Sequence, residues 1–133
     1  MSETIDPATM CFACGVNNPI GLRIPFEFDG ERCTAEFTPG PNHVGWENTV
    51  HGGILYSALD DVTAHVLYQQ GIKAHTARCE IRYRQPARVG DTLLLTGWTE
   101  KQKGRFVLLK GEARRKQDDA LVADCEARFM IEG

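Results

Sequence analysis

Long apolar runs are missing from this 133-residue chain. No stretch reaches the ~18 consecutive apolar residues that a membrane-spanning helix needs, so no membrane partner is expected. The opening residues, Met1 to Met10, have neither the basic start nor the apolar centre of a secretory signal, and a cytoplasmic protein is expected. Cysteine is present but badly arranged for cross-linking. Cys11, Cys14, Cys33, Cys79 and Cys125 make an odd set of five, which argues against a disulfide framework. Only Cys11 and Cys14 form a CxxC, and no second pair completes a four-ligand zinc site. His43, His51, His65 and His75 show no HExxH-type spacing. No metal is therefore expected, and Cys11-Phe12-Ala13-Cys14-Gly15 reads as a turn. A GxSxG elbow, a paired Cys–His signature, a GxGxxG fingerprint and a phosphate-binding P-loop are all absent. An excess of positive charge is also lacking. The formal net charge is −3, so nucleic acid is not the expected partner.

What charge there is divides unevenly. Residues 1–61 carry nine acids and two bases, whereas residues 62–133 carry nine acids and thirteen bases. Lys101, Lys103, Arg105, Lys110, Arg114, Arg115 and Lys116 concentrate the positive half. They read either as solvated strand faces or as a patch for an anionic group such as a phosphate.

Residues 1–22, rich in Pro, Gly and Asn, read as an N-terminal arm or loop. Residues 23–133 read as the folded domain. Ile24, Phe26 and Phe28 alternate up to Asp29-Gly30, and Cys33, Ala35 and Phe37 alternate after it, which predicts a hairpin over 24–38. A loop is predicted over 39–49. From Gly52 to Gln70, Leu55, Leu59, Val62 and Val66 recur at helical spacing and Gly71 stops the run. Four strands are predicted at Thr76–Gln85, Thr92–Glu100, Phe106–Lys116 and Leu121–Ile131. Their short connections favour antiparallel hairpins. The resulting class is α+β, one long helix against an antiparallel sheet. Leu93-Leu94-Leu95 and Val107-Leu108-Leu109 put apolar residues at consecutive positions. That pattern predicts burial on both faces of the sheet, and hence a homo-oligomer.

The chemistry concentrates at the helix start. Gly52 and Gly53 weaken the helix by roughly 1 kcal/mol each relative to Ala. The two glycines make sense if a ligand approaches the backbone. The first amides of a helix have no internal acceptor and sit at the positive end of its dipole, so they suit a carbonyl that becomes an oxyanion. Asp60 and Asp61 follow two turns later. Asp60 has Tyr56, Ala64 and Leu67 for helical neighbours, and Asp61 has Ser57 and His65. Periodicity does not choose between them as an acid–base group.

Gly45-Trp46-Glu47-Asn48-Thr49-Val50-His51-Gly52-Gly53 through Asp60-Asp61 resembles the helix entrance of hotdog-fold acyl-CoA thioesterases, the PaaI-like group. The arm, Cys11-Phe12-Ala13-Cys14-Gly15 through Asn18-Pro19-Ile20-Gly21-Leu22, resembles the N-terminal signature of one branch of that group. Tyr83-Arg84-Gln85-Pro86-Ala87-Arg88-Val89-Gly90-Asp91 is similar to its strand–turn–strand. The resemblance implies a helix wrapped by five to six antiparallel strands and a homodimer or homotetramer with sites between subunits. It implies Asp60 as general base or nucleophile and the Gly52 amide as oxyanion donor, with no cofactor beyond the CoA of the substrate. His51, Gly53, Thr76, Tyr56 and Trp46 would contact the substrate. Arg84, Arg88, Lys101, Lys103 and Arg105 would hold CoA phosphates. Some members carry Asn six residues before the motif His, where this chain has Gly45, and Asp61 replaces a Glu common in the nearest branch. A noncatalytic acyl-CoA-binding protein of the same fold is the alternative. A hotdog hydratase or dehydratase is a weaker one, because no FPG-type loop follows His43.

Overall fold

A computed structural model describes residues 7–133; Met1 to Asp6, the start of the expected arm, lie outside the described residues. Eight strands and one helix follow a 3-10 turn at Pro7–Met10. The strands are β1 (Glu27–Phe28), β2 (Arg32–Phe37), β3 (Val44–Trp46), β4 (Thr49–Val50), β5 (Ala74–Tyr83), β6 (Leu93–Lys103), β7 (Phe106–Arg115) and β8 (Leu121–Ile131). The helix α1 spans Gly52–Tyr68. Six strands form one antiparallel sheet in the order β1-β2-β6-β7-β8-β5, and α1 lies across it, the hotdog arrangement.

The helix forms where its period says it should. Leu55, Ala58, Leu59, Val62, Thr63, Val66 and Leu67 make its buried stripe. At its end Gly71 takes a left-handed φ of 75°, and the Ile72 N–H reaches back to the Leu67 carbonyl at 3.1 Å. The sheet offers the helix a smooth seat. Gly97 of β6 and Gly111 of β7 are register partners. A Cβ at Gly97 would stand 2.7 Å from the Val62 carbonyl oxygen, and one at Gly111 would stand 3.1 Å from Thr63 Cγ2. Two side-chain-free positions side by side let backbone pack on backbone.

Two expectations need correction. The segment before Asp29-Gly30 pairs only over Glu27–Phe28, so the first strand is far shorter than its alternation suggests. The predicted loop over 39–49 holds the β3–β4 ribbon, too short to show a period. The sheet does not bury both faces within a protomer. Leu93 and Leu95 are fully buried while Leu94 between them is 40% exposed. Its face is shared by Lys110, Glu112, Arg114, Asp124, Glu126 and Arg128, which alternate with the buried residues of β7 and β8. That face is open in the single protomer, which is the condition from which the expectation of a homo-oligomer starts.

The described part of the arm packs onto the body. Ala13, Leu22 and Ile24 are buried. The Leu22 N–H donates to the Phe12 carbonyl at 2.7 Å and the Ile24 N–H to the Ala13 carbonyl at 2.9 Å.

Candidate active site

Three residues one helical turn apart, Gly52, Tyr56 and Asp60, face the same strand. The Gly52 carbonyl accepts from the Tyr83 hydroxyl at 2.8 Å. The Tyr56 hydroxyl reaches toward the Cys79 carbonyl at 3.5 Å. The Thr76 hydroxyl donates to Asp60 Oδ1 at 2.9 Å. The helix thus runs antiparallel to β5, and β5 pairs only with β8, leaving its other edge unpaired among the described residues.

At the helix start the His51 backbone caps and its ring completes the cap. The Gly53 N–H donates to His51 Nδ1 at 2.8 Å, and Ile54 N–H donates to the His51 carbonyl at 3.0 Å. Gly52 N–H, the first of the helix, has no acceptor among the described residues. It is the donor left over for an incoming oxygen. Gly53 and Gly45 sit in tight places: a Cβ would stand 3.0 Å from His51 Nδ1 at the first and 3.1 Å from His51 Cα at the second. The Asn that some family members carry at position 45 would require the His51 backbone to shift by a few tenths of an ångström.

Asp60 is half-buried. Burial raises its carboxyl above the usual carboxylate value, the Thr76 bond pulls it down, and the Asp61 charge raises it further. Asp61 points elsewhere, toward Cys11, Cys14 and His65. The two adjacent carboxylates, indistinguishable by period, therefore occupy different environments. Asp60 Oδ1 and Gly52 N–H lie eight residues apart along the axis, about 12 Å at the helical rise. One carbonyl carbon cannot be reached by both groups of one chain.

Thr76 and Tyr56 lie along this helix face, whereas His51 and Gly53 border a separate cavity at the helix start with Ile54 and Ser57. Trp46 does not join them: it stands on β3 at 77% exposure. The five basic residues separate into two groups. Arg84 borders a cavity of 300 Å³ with Gly52, Leu55 and Tyr83, and is ion-paired with Asp124 at 2.9 Å. Arg88 donates to Thr49 Oγ1 at 2.9 Å at that same end. Lys101, Lys103 and Arg105 cluster at the β6–β7 turn, where the register runs Lys103 to Phe106, Phe106 to Met130 and Met130 to His75. That is the opposite end of the sheet from Tyr83 and Gly52. Tyr83 opens the stretch similar to the family's strand–turn–strand, but nothing in that stretch marks a role for its hydroxyl. Its hydroxyl contact to the helix start arises only once β5 is placed.

The family model of the thioesterase superfamily matches residues 47–122, more than half of the chain. A curated relative, the acyl-coenzyme A thioesterase THEM4 of Xenopus laevis, is 29% identical over 100 residues, which cover 74% of this chain and 45% of the relative. The chain thus spans about half the length of that relative. Among solved structures, the E. coli PaaI protein of the phenylacetic acid degradation operon superposes with a TM-score of 0.77 at 24% identity, over 82% of this chain and 83% of that one. A hypothetical thioesterase protein of Streptococcus pneumoniae TIGR4, crystallised with coenzyme A, gives 0.78 at 14% identity, over 83% and 86% of the two chains. Both likenesses establish the fold.

Proposed function

Because the chain belongs to the thioesterase superfamily, we propose that it hydrolyses an acyl-CoA thioester to the free acid and CoA. The carrying observation is the Thr76–Asp60 hydrogen bond, which orients a half-buried carboxylate on the same helix face as the free Gly52 amide. The Gly52 N–H, at the positive end of the helix, stabilises the oxygen that gains charge as the carbonyl is attacked. Asp60 either takes the proton from the attacking water or attacks as nucleophile; the thiolate of CoA then leaves and is protonated. Its raised carboxyl suits the basic role better than an ordinary aspartate. His51 and Gly53 hold the amide in place, Tyr56 lines the helix wall, and Arg84 and Arg88 lie where CoA phosphates would enter the Gly52 end. Lys101, Lys103 and Arg105 would serve only a nucleotide reaching from the other end. Trp46 would contact the acyl group only from a neighbouring subunit's side. In support, two crystal structures of the S. pneumoniae protein carry an Asp→Ala and a Thr→Ala substitution sixteen residues apart, the separation of Asp60 and Thr76 here.

The ~12 Å between Gly52 and Asp60 supports a reaction shared between two subunits. Two copies joined edge to edge along β5 by a two-fold near Cys79 would bring Gly52 of one opposite Asp60 of the other. The test is free-thiol release from a panel of acyl-CoAs. Asp60→Asn keeps the shape and removes the base, and kcat is expected to fall by about 10²–10⁴. Full activity in that variant, or no hydrolysis of any acyl-CoA by the unaltered protein, overturns the assignment.

A further inference from the structure

The CxxC of the arm does not stand alone in space. Folding brings Cys11 and Cys14 against Asp61 and His65, which are one turn apart on α1 and more than forty residues away in sequence. Cys11 Sγ lies 3.8 Å from both Asp61 oxygens. His65 Nε2 lies 3.2 Å from Cys14 Sγ and 3.6 Å from Asp61 Oδ2. The donor atoms of Cys11, Cys14 and Asp61 are all within 4.8 Å of one another. We propose that Cys11, Cys14, Asp61 and His65 bind one Zn²⁺ that clasps the arm to the helix.

Several independent observations carry this. Tetrahedral zinc with bonds of about 2.0–2.3 Å separates its ligand atoms by about 3.3–3.8 Å, and the three close distances here fall around that range. The donor set of two sulfurs, one imidazole and one carboxylate is one that zinc accepts. The turn is built to aim both thiols the same way. Gly15 N–H donates to the Cys11 carbonyl at 2.7 Å, and a Cβ at Gly15 would stand 2.5 Å from both Cys11 N and the Thr9 carbonyl oxygen. Only glycine lets the knuckle close. The His65 ring is fixed by stacking on Phe26 at 4.6 Å and by the edge contact with Tyr68 at 5.3 Å. Asp61 and His65 retain 18% and 13% of their side-chain exposure, and Asp61 has no Lys or Arg partner among the described residues. A carboxylate so placed wants a cation. The four groups line one side of an open 630 Å³ cavity that continues past Ile72 to Phe129, which supplies an entry path.

Four protein ligands leave no open position, so the metal is structural and takes no part in thioester chemistry. Zinc at His65 Nε2 places the ring proton on Nδ1.

The test uses the full chain, free of any histidine tag and purified without chelator. Elemental analysis is expected to find close to one zinc per chain. Stripped and reduced protein given Co²⁺ is expected to show the intense visible absorption of tetrahedral cobalt together with thiolate charge-transfer bands. Cys14→Ser is expected to lose about half of the charge-transfer intensity, Cys11 being the one thiolate left. His65→Ala keeps both thiols and guards against a misfolded Cys variant. It should alter the cobalt spectrum and weaken zinc by at least the ~10–100-fold that loss of a mere outer-shell partner costs. The proposal is overturned if the reduced protein takes up neither metal. It is equally overturned if metal content is indifferent to both substitutions. A disulfide between Cys11 and Cys14 in the protein as purified, located by peptide mapping, would also overturn it. None of these readouts depends on thioesterase activity.

Discussion

Thr76 Oγ1 donates to Asp60 at 2.9 Å across sixteen residues of chain. A hydrogen bond to a charged group contributes ~1.5–3 kcal/mol, which is roughly ten- to a hundredfold in rate if it is felt only in the transition state. Thr76→Ala is therefore expected to lower kcat by about that factor with little change in KM, and Thr76→Ser, which keeps the hydroxyl, to recover most of it. A purely structural role for Thr76 would instead show as a lower melting temperature with kcat unchanged. At this scale the sequence is readable in part. Asp60 and Asp61 stand out only as a pair, with Asp60 preferred through the family resemblance, while Gly52 and Gly53 are marked by the weakness they bring to a helix start. Thr76 is reached only through the family resemblance, because no local rule ties a strand residue to a helix carboxylate. Cys11 and Cys14 show why. Their spacing is visible, as is the Asp61–His65 pair at i,i+4, yet nothing in either segment says that the two meet.

The helix is held by what the sheet omits. Gly97→Ala places a methyl group 2.7 Å from the Val62 carbonyl oxygen, a backbone atom that cannot swing aside. The helix has to lift, and overpacking of this kind costs about 1–3 kcal/mol. Urea unfolding should show that loss as a lower midpoint with an unchanged slope; an unchanged midpoint would mean the helix seat is looser than its geometry implies. α1 was legible from its period, and the four long strands because each is a long run bounded by turn residues. Their bounds fall within a few residues of the pattern. The β6 strand runs on to Lys103 past the expected end at Glu100, through a bulge between Thr99 and Lys101 that breaks the alternation. The β3–β4 ribbon is too brief for any period, and the pairing of β2 with β6 joins segments some sixty residues apart. Sheet order is a property of packing, and no strand carries it alone.

At the scale of the whole molecule the open question is what meets the free edge of β5. Ten residues with an unpaired backbone edge and mostly exposed side chains invite a second strand. A two-fold pairing of β5 edges makes every site a composite of Gly52 from one chain and Asp60 from the other, and this can be tested by complementation. Gly52→Pro removes the oxyanion N–H at the first helical position, where proline is best tolerated. His51, at φ −60° and ψ 133°, already has the extended backbone that precedes a proline. The nearest atom to a new Cβ there is the Tyr83 hydroxyl at 3.3 Å, the end of a side chain that can yield. This variant should fold and lose about 10²–10³ in kcat. Mixed with Asp60→Asn after reversible dissociation, half of the dimers contain both variants, and each such dimer has one site with neither substitution. Activity should return to about a quarter of the unaltered protein's. If the two groups served one substrate from within a single chain, no mixture of the two inactive proteins would recover anything.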